Sequence, residues 1–307
     1  MTPSRPPSAA EPLTLISPVR TIGAHTFDFS RRVAVMAVVN RTPDSFYDRG
    51  TTFALDAAVA AALAAVADGA DIIDIGGAPF APGPELSAAD EVARVVPVIA
   101  AVRAQSDVVI SVDTFQSEVA RRSIEAGADL INDTTSFSDP EMARVVADSG
   151  AALVLTHSLA EPRKPFPRPT YDDVVTEVVA FLANRIDAAR DAGIPAERLL
   201  IDPGHDLNKN TRHSLELTRR FAEIAALGYP ALAAVSNKDF VGETLGRERG
   251  DRVDGSLAAA VVAIMNGARV IRMHNVRPAV DAARMTEAIL GFREPRYLRH
   301  NMGDVNE

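Results

Sequence analysis

Eight residues in this chain could do chemistry together: Asn40, Asp113, Asn132, Asp202, Ser236, Lys238, Arg272 and His274. Each stands at or just beyond the end of a short apolar run. The carboxylates and amide of Asp113, Asn132 and Asp202 would accept hydrogen bonds from a flat, donor-rich heterocycle. Lys238 would donate to its carbonyl or ring nitrogen. A buried Arg272 needs an anionic or a planar partner, and stacking on the ring would satisfy it. His274, Asn40 and the segment after Asn40 could hold a phosphate or its magnesium. Three neighbours have plainer readings. Asp74, inside "DIIDIGG", serves local backbone or loop groups as readily as a ligand. Asp133 reads as a cap of the loop that follows, and His157 as a core histidine.

The elements that must position these residues repeat. Short β-branched runs at 33–39, 71–75, 108–112, 129–132, 151–156, 199–201, 231–236 and 268–273 alternate with longer Ala/Leu-rich helical patterns. Gly69, Gly127, Gly150 and Gly267 each fall between a helical pattern and the next strand, at the joint where a left-handed residue closes a helix. Strand–helix alternation implies parallel strands with right-handed crossovers. Eight such units in roughly 250 residues predict an α/β fold of the (β/α)8 TIM-barrel type, whose chemistry lies at the carboxyl ends of its strands. No G-x-G-x-x-G follows the first strand, which disfavours a doubly wound open sheet. Residues 13–29 predict a short hairpin before the barrel. Residues 1–12, rich in Pro, Ser and Ala, read as a disordered tail. The expected layout is that tail, a single domain over 13–295, and a C-terminal tail over 296–307.

Composition narrows the partners. The chain has 307 residues, 47% hydrophobic and 24% charged, with a net charge of -9 and no Lys/Arg cluster, which argues against nucleic acid. There is no cysteine, so thiol chemistry and Cys-ligated zinc are excluded; a cytoplasmic protein is expected. No apolar run reaches the length of a membrane span.

The strand ends also match a known family. "NRTPDSFYDRG", "ISVDTF", "INDTT", "IDPG", "SNKDF" and "RMHNV" occur in the order, and at the strand ends, of dihydropteroate synthase. The resemblance runs over nearly all of 33–293, and the ordered set is far more specific than any one motif. It implies an enzyme that joins a dihydropterin diphosphate to 4-aminobenzoate and releases diphosphate. On that likeness Asp113, Asn132, Asp202, Ser236 and Lys238 would hold the pterin, with Arg272 stacked on it. Lys238, Arg272 and His274 would carry catalysis, His274 lying near the diphosphate and Asn40 binding Mg2+. A homodimer through late barrel helices is implied too.

The departures fall on the catalytic loops. Where the family usually has Gly-Gly-Glu-Ser-Thr-Arg-Pro-Gly, this chain has Gly76 followed by Gly77-Ala78-Pro79-Phe80-Ala81-Pro82-Gly83. A usual Asp-Pro-Gly-Phe-Gly-Phe-Gly-Lys becomes Asp202-Pro203-Gly204-His205-Asp206-Leu207-Asn208-Lys209, and Ser-Arg-Lys becomes Ser236-Asn237-Lys238. A charge-assisted contact is worth about 1.5–3 kcal/mol, so losing several on one side matters. The expectation is a retained pterin pocket with weak or no synthase activity, like the divergent second paralogue of some bacteria. The alternatives are a functional synthase with unusual loops and a non-catalytic small-molecule binder. A metal-dependent hydrolase ranks last, because Asn40-Arg41-Thr42 stand where paired histidines would be wanted.

Overall fold

A computed structural model describes residues 14–40, 55–164 and 168–301. The proposed tail over 1–12, the segment following Asn40, the side chain of Asn40 and residues 302–307 lie outside the described residues. The chain opens with an antiparallel hairpin, β1 (Val19–Ile22) and β2 (His25–Asp28). Eight parallel strands follow: β3 (Ala34–Asn40), β4 (Ile72–Gly76), β5 (Val109–Asp113), β6 (Leu130–Asp133), β7 (Ala152–Thr156), β8 (Leu199–Asp202), β9 (Ala231–Ala233) and β10 (Ala268–Met273). They close in the order β10-β3-β4-β5-β6-β7-β8-β9. The predicted barrel is present.

Both faces of the barrel strands are covered, which explains why they read as unbroken apolar runs. Val33, Val35, Ile73, Ile75, Ile110 and Ile131 point to the surrounding helices in one large core. Met36, Ile72, Val109, Leu130, Val154, Leu200 and Val270 fill the interior. That inner cluster continues into Ile22, Phe27 and Phe29, so the hairpin seals the amino-terminal end of the barrel. Arg20 fastens it there. Its buried guanidinium donates to the carbonyls of Ile16 (2.7 Å), Ala196 (3.0 Å) and Leu199, and burial lowers it to about 10.

Helix starts follow local chemistry. Ser87 Oγ accepts from Asp90 N at 3.1 Å, and Asp173 accepts from Val175 N and Thr176 N at 3.0 Å each. Three of the four predicted joint glycines, Gly69, Gly127 and Gly267, take left-handed backbone; Gly150 does not. There Ser149 turns the chain instead, accepting from Ala151 N and donating to Val146 O.

Two differences from expectation bear on the site. β9 ends at Ala233, short of the expected 236, so Ser236 and Lys238 belong to a loop rather than a strand. The next seven residues form an unforeseen helix, Asp239–Leu245. Between β8 and β9 the chain forms two helices that meet at Arg220, Thr211–Arg219 and Phe221–Ala225.

Candidate functional site

Strand register builds the mouth. Asn40 pairs with Gly76, Gly76 with Asp113, and Asp113 with Asn132, forming one rung across four strands. One residue pair deeper, Asp74 lies beside Ser111. Arg272, from β10, reaches over to this group. Its Nε lies 2.6 Å from Asp74 Oδ2 and its Nη2 2.9 Å from Asp113 Oδ2. Asp74 is fully buried and also accepts from Ser111 Oγ (2.6 Å) and Asn132 Nδ2 (3.2 Å). Asp74 is therefore not a loop cap; it is the anchor of the ring.

The electrostatics follow from burial. Arg272 is held above its ordinary value, because Asp74 and Asp113 outweigh the burial that opposes its charge. Asp113 is pushed up to about 7: burial is the main cause, Arg272 opposes it, and the nearby carboxyls Asp74 and Glu91 add to it. Burial also raises Asp202, whose Oδ1 accepts from Gly204 N at 2.7 Å. Asn132 Oδ1 is buried with no partner among the described residues. A ring of acceptors that still has an unpaired oxygen can take donors from a ligand.

On the other side, Ala234, Ser236, Asn237, Lys238, Arg272 and His274 line a pocket of about 300 Å³ together with Asp206, Asp239, Arg249 and Ala81. Ser236 Oγ accepts from His274 N (3.1 Å) and lies 3.0 Å from His274 Nδ1, which fixes the imidazole one residue past β10. Of the predicted residues, Arg272, Lys238, Ser236 and His274 therefore share this cavity. Asp113 and Asn132 join it through Arg272 and Asp74. Asp202 is buried on β8.

Other residues that looked chemical have structural jobs. Asp133 accepts from Thr135 N (2.9 Å) and Phe137 N (2.7 Å), the loop cap its position suggested. His157 Nδ1 accepts from Lys209 Nζ at 2.8 Å, and its ring meets Phe181 edge-on. Burial lowers Lys209 to about 7 and His157 to about 3. Asp206, in the pocket lining, accepts from Asp239 N (2.6 Å), Phe240 N (3.3 Å) and Ser214 Oγ (2.8 Å). These bonds tie the loop after β8 to the start of the helix Asp239–Leu245.

Three groups that sequence reasoning passed over matter here. Glu91, buried under the β4 loop, accepts from Gln116 Nε2 at 2.6 Å, and burial raises its pKa. Lys209 fixes the β8 loop through His157 Nδ1 and Leu207 O (3.0 Å). Arg163 clasps the proline-rich β4 loop, donating to the carbonyls of Pro79 (3.1 Å), Ala81 and Pro84 (3.0 Å). Two main-chain bonds close the same clasp: Gly83 N to Arg163 O, and Arg163 N to Phe80 O. A side chain at Gly83 would occupy the space of the Arg163 guanidinium. Only the lysine invited notice in the sequence, as the last residue of the β8 motif.

Magnesium needs several oxygen ligands in near-octahedral order. Among the described residues no group of three or more His, Asp or Glu converges, and Asp74 and Asp113 are committed to Arg272. These side chains do not form a protein cage for a metal.

A family model described as "Pterin binding enzyme" matches residues 36–274. The chain belongs to the pterin-binding enzyme family. Within that family, "Inactive dihydropteroate synthase 2" of Mycobacterium leprae is 46% identical over 271 residues, 86% of this chain and 93% of the relative. The dihydropteroate synthase of Escherichia coli is 41% identical over 261 residues, 85% of this chain and 93% of that protein. Among solved pterin-binding structures, Xanthomonas albilineans dihydropteroate synthase with 4-aminobenzoic acid superposes with a TM-score of 0.81 at 41% identity. The match covers 89% of this chain and 98% of that one. The Yersinia pestis enzyme in complex with a sulfonamide drug gives 0.85 at 38%, over 90% and 100%.

Proposed function

We propose that this pterin-binding family member keeps a pterin pocket but has weak or no dihydropteroate synthase activity. The observation that carries the reading is the asymmetry of the mouth. On the β5–β6–β10 side, Asp113, Asn132 and Arg272 form a closed polar ring around Asp74. On the β4 side, the loop places Ala81 alone in the pocket and is clasped by Arg163. One side offers a floor for a flat heterocycle; the other lacks polar side chains for a departing diphosphate.

In this reading Asn132 Oδ1, Asp113 and Asp202 accept from the pterin, Lys238 donates to it, and Ser236 holds His274 toward the anionic end. Arg272 is gripped along its edge by two carboxylates, which leaves its planar face for stacking. Such fixed dipoles would stabilise positive charge on a pterin as its leaving group departs. Among the described residues the β4 loop offers no matching stabilisation of the leaving group. Magnesium would enter on the ligand's diphosphate, beside Asn40, rather than in a cage of protein oxygens.

The 46% identity to proteins named as inactive synthases supports this reading. The 41% identity to a named synthase supports a second one, a functional enzyme with altered loops. A non-catalytic binding protein is the limit of the first. Val262, Met265, Met285 and Ile289, exposed on the helices Val253–Met265 and Val276–Ile289, support a homodimer; sedimentation would test it. No described helix is long and apolar enough to cross a membrane.

The deciding experiment is calorimetric titration with dihydropterin diphosphate and Mg2+, with and without 4-aminobenzoate, scoring dihydropteroate in the same sample. Binding without product supports the proposal. Binding with turnover at an ordinary enzymatic rate establishes the second reading, and absence of binding overturns both.

A further inference from the structure

Between Asn132 on β6 and Asp202 on β8 stands one residue to which nothing above gives a task, Thr156 at the end of β7. Alternation assigns its face. Leu130, Val154 and Leu200 belong to the inner cluster of the barrel, whereas Ile131, Leu153, Leu155 and Ile201 belong to the outer one. Two residues further along each strand the same face returns, so Asn132, Thr156 and Asp202 share the inner face at the mouth. Register sets them side by side: Asn132 pairs with Val154, and Thr156 with Asp202. Thr156 is only 1% exposed, and its Oγ1 is buried with no partner among the described residues. A buried hydroxyl that bonds to nothing costs folding free energy until a ligand or a water completes it.

We propose that Thr156 is a specificity-determining residue of this floor and selects a ring with a ureide edge, as in a 2,4-dioxopteridine. The inference rests on the pterin-floor reading and names the ring class that the floor takes best. Across β6, β7 and β8 the wall runs acceptor, donor, acceptor. The acceptors are Asn132 Oδ1, which is unmet, and the Asp202 carboxylate, one oxygen of which is taken by Gly204 N. The donor is the Thr156 hydroxyl, which bonds to neither neighbour. A ureide runs N–H, C=O, N–H, the complement of that order. A 2-amino ring puts an amino group at the centre instead. Its hydrogens suit Asn132 and Asp202, but the hydroxyl could then only accept, leaving its own proton without a place. A site that must leave a buried donor unpaired binds that ligand less well.

The test measures binding of two phosphate-free probes, lumazine (2,4-dioxopteridine) and pterin (2-amino-4-oxopteridine), to wild type, Thr156→Val and Thr156→Ser. Wild type should bind lumazine at least as tightly as pterin. Thr156→Val, which keeps the shape and removes the hydroxyl, should weaken lumazine about tenfold and pterin less than about threefold. Thr156→Ser, which keeps the hydroxyl, should hold lumazine within about threefold of wild type. Without ligand, Thr156→Val should keep or raise the thermal midpoint, because the hydroxyl has no partner in the fold. Unchanged lumazine affinity in Thr156→Val, an equal loss for both rings, or a lowered thermal midpoint each overturn the inference. So does a wild type that prefers pterin, an outcome that leaves the pterin reading standing. Lumazine binding with the Thr156→Val loss but no pterin binding upholds the inference and retires pterin as the ligand. Binding of neither ring overturns both.

Discussion

Arg272 Nε stands 2.6 Å from Oδ2 of Asp74, a carboxylate wholly removed from solvent, so β10 and β4 are joined by an ion pair that spans β3. Removing one member of a buried pair leaves the other charge uncompensated, which typically costs about 3–5 kcal/mol. Asp74→Asn should lose stability on that scale in urea unfolding. Arg272→Met added to Asp74→Asn should cost much less than it does alone. Additive losses would mean that the two side chains do not work as a unit.

The Arg163 clasp can be opened from either end. Arg163→Ala removes the three side-chain bonds and Gly83→Ala displaces the guanidinium. Each should cost about 1 kcal/mol, because the bonds are partly exposed. Both should speed amide exchange across 78–84 about tenfold while leaving the barrel strands protected. An unchanged exchange rate in both variants would show that the prolines alone hold the loop.

Lys209 makes stability depend on pH in a direction unusual for a lysine. Burial brings it from an ordinary 10.5 to about 7, so between those values the unfolded chain binds a proton that the folded chain does not. Stability therefore rises with pH through that window and is lost as pH falls toward 7. Relative to Lys209→Met, wild type should gain about 1 kcal/mol per pH unit between pH 7.5 and 9.5. A pH-independent difference between the two proteins would place a charged lysine in the fold.

Lys238 offers the cleanest test of the pterin floor, since it lines the pocket from a loop rather than from the core. Lys238→Ala should weaken pterin binding by about 1.5–3 kcal/mol, the worth of one charge-assisted hydrogen bond, with little change in thermal midpoint. A matching fall in thermal stability would instead give the lysine a structural role.

The barrel could be read from the sequence because buried parallel strands leave an uninterrupted apolar pattern, and because strand ends collect polar residues. What the pattern could not carry was pairing. Asp74 and Asp113 look alike on paper, and both pair with Arg272, yet Asp74 is wholly buried among Ser111 and Asn132 while Asp113, one rung nearer the mouth, is partly exposed. Only register separates them. The helix Asp239–Leu245 was missed because seven residues containing Gly242 give too short a periodic signal. Glu91, Arg163 and Arg249 act through contacts made 25 or more residues away or through a shared cavity, and no local motif marks those.

The hairpin of β1 and β2 makes the barrel a funnel rather than a tube. With Phe27 and Phe29 set in the inner cluster and Arg20 latched to 196–199, the narrow end is stoppered. Trimming that stopper would flood the inner layers of every strand from below, and the damage would reach the mouth although no mouth residue had been touched.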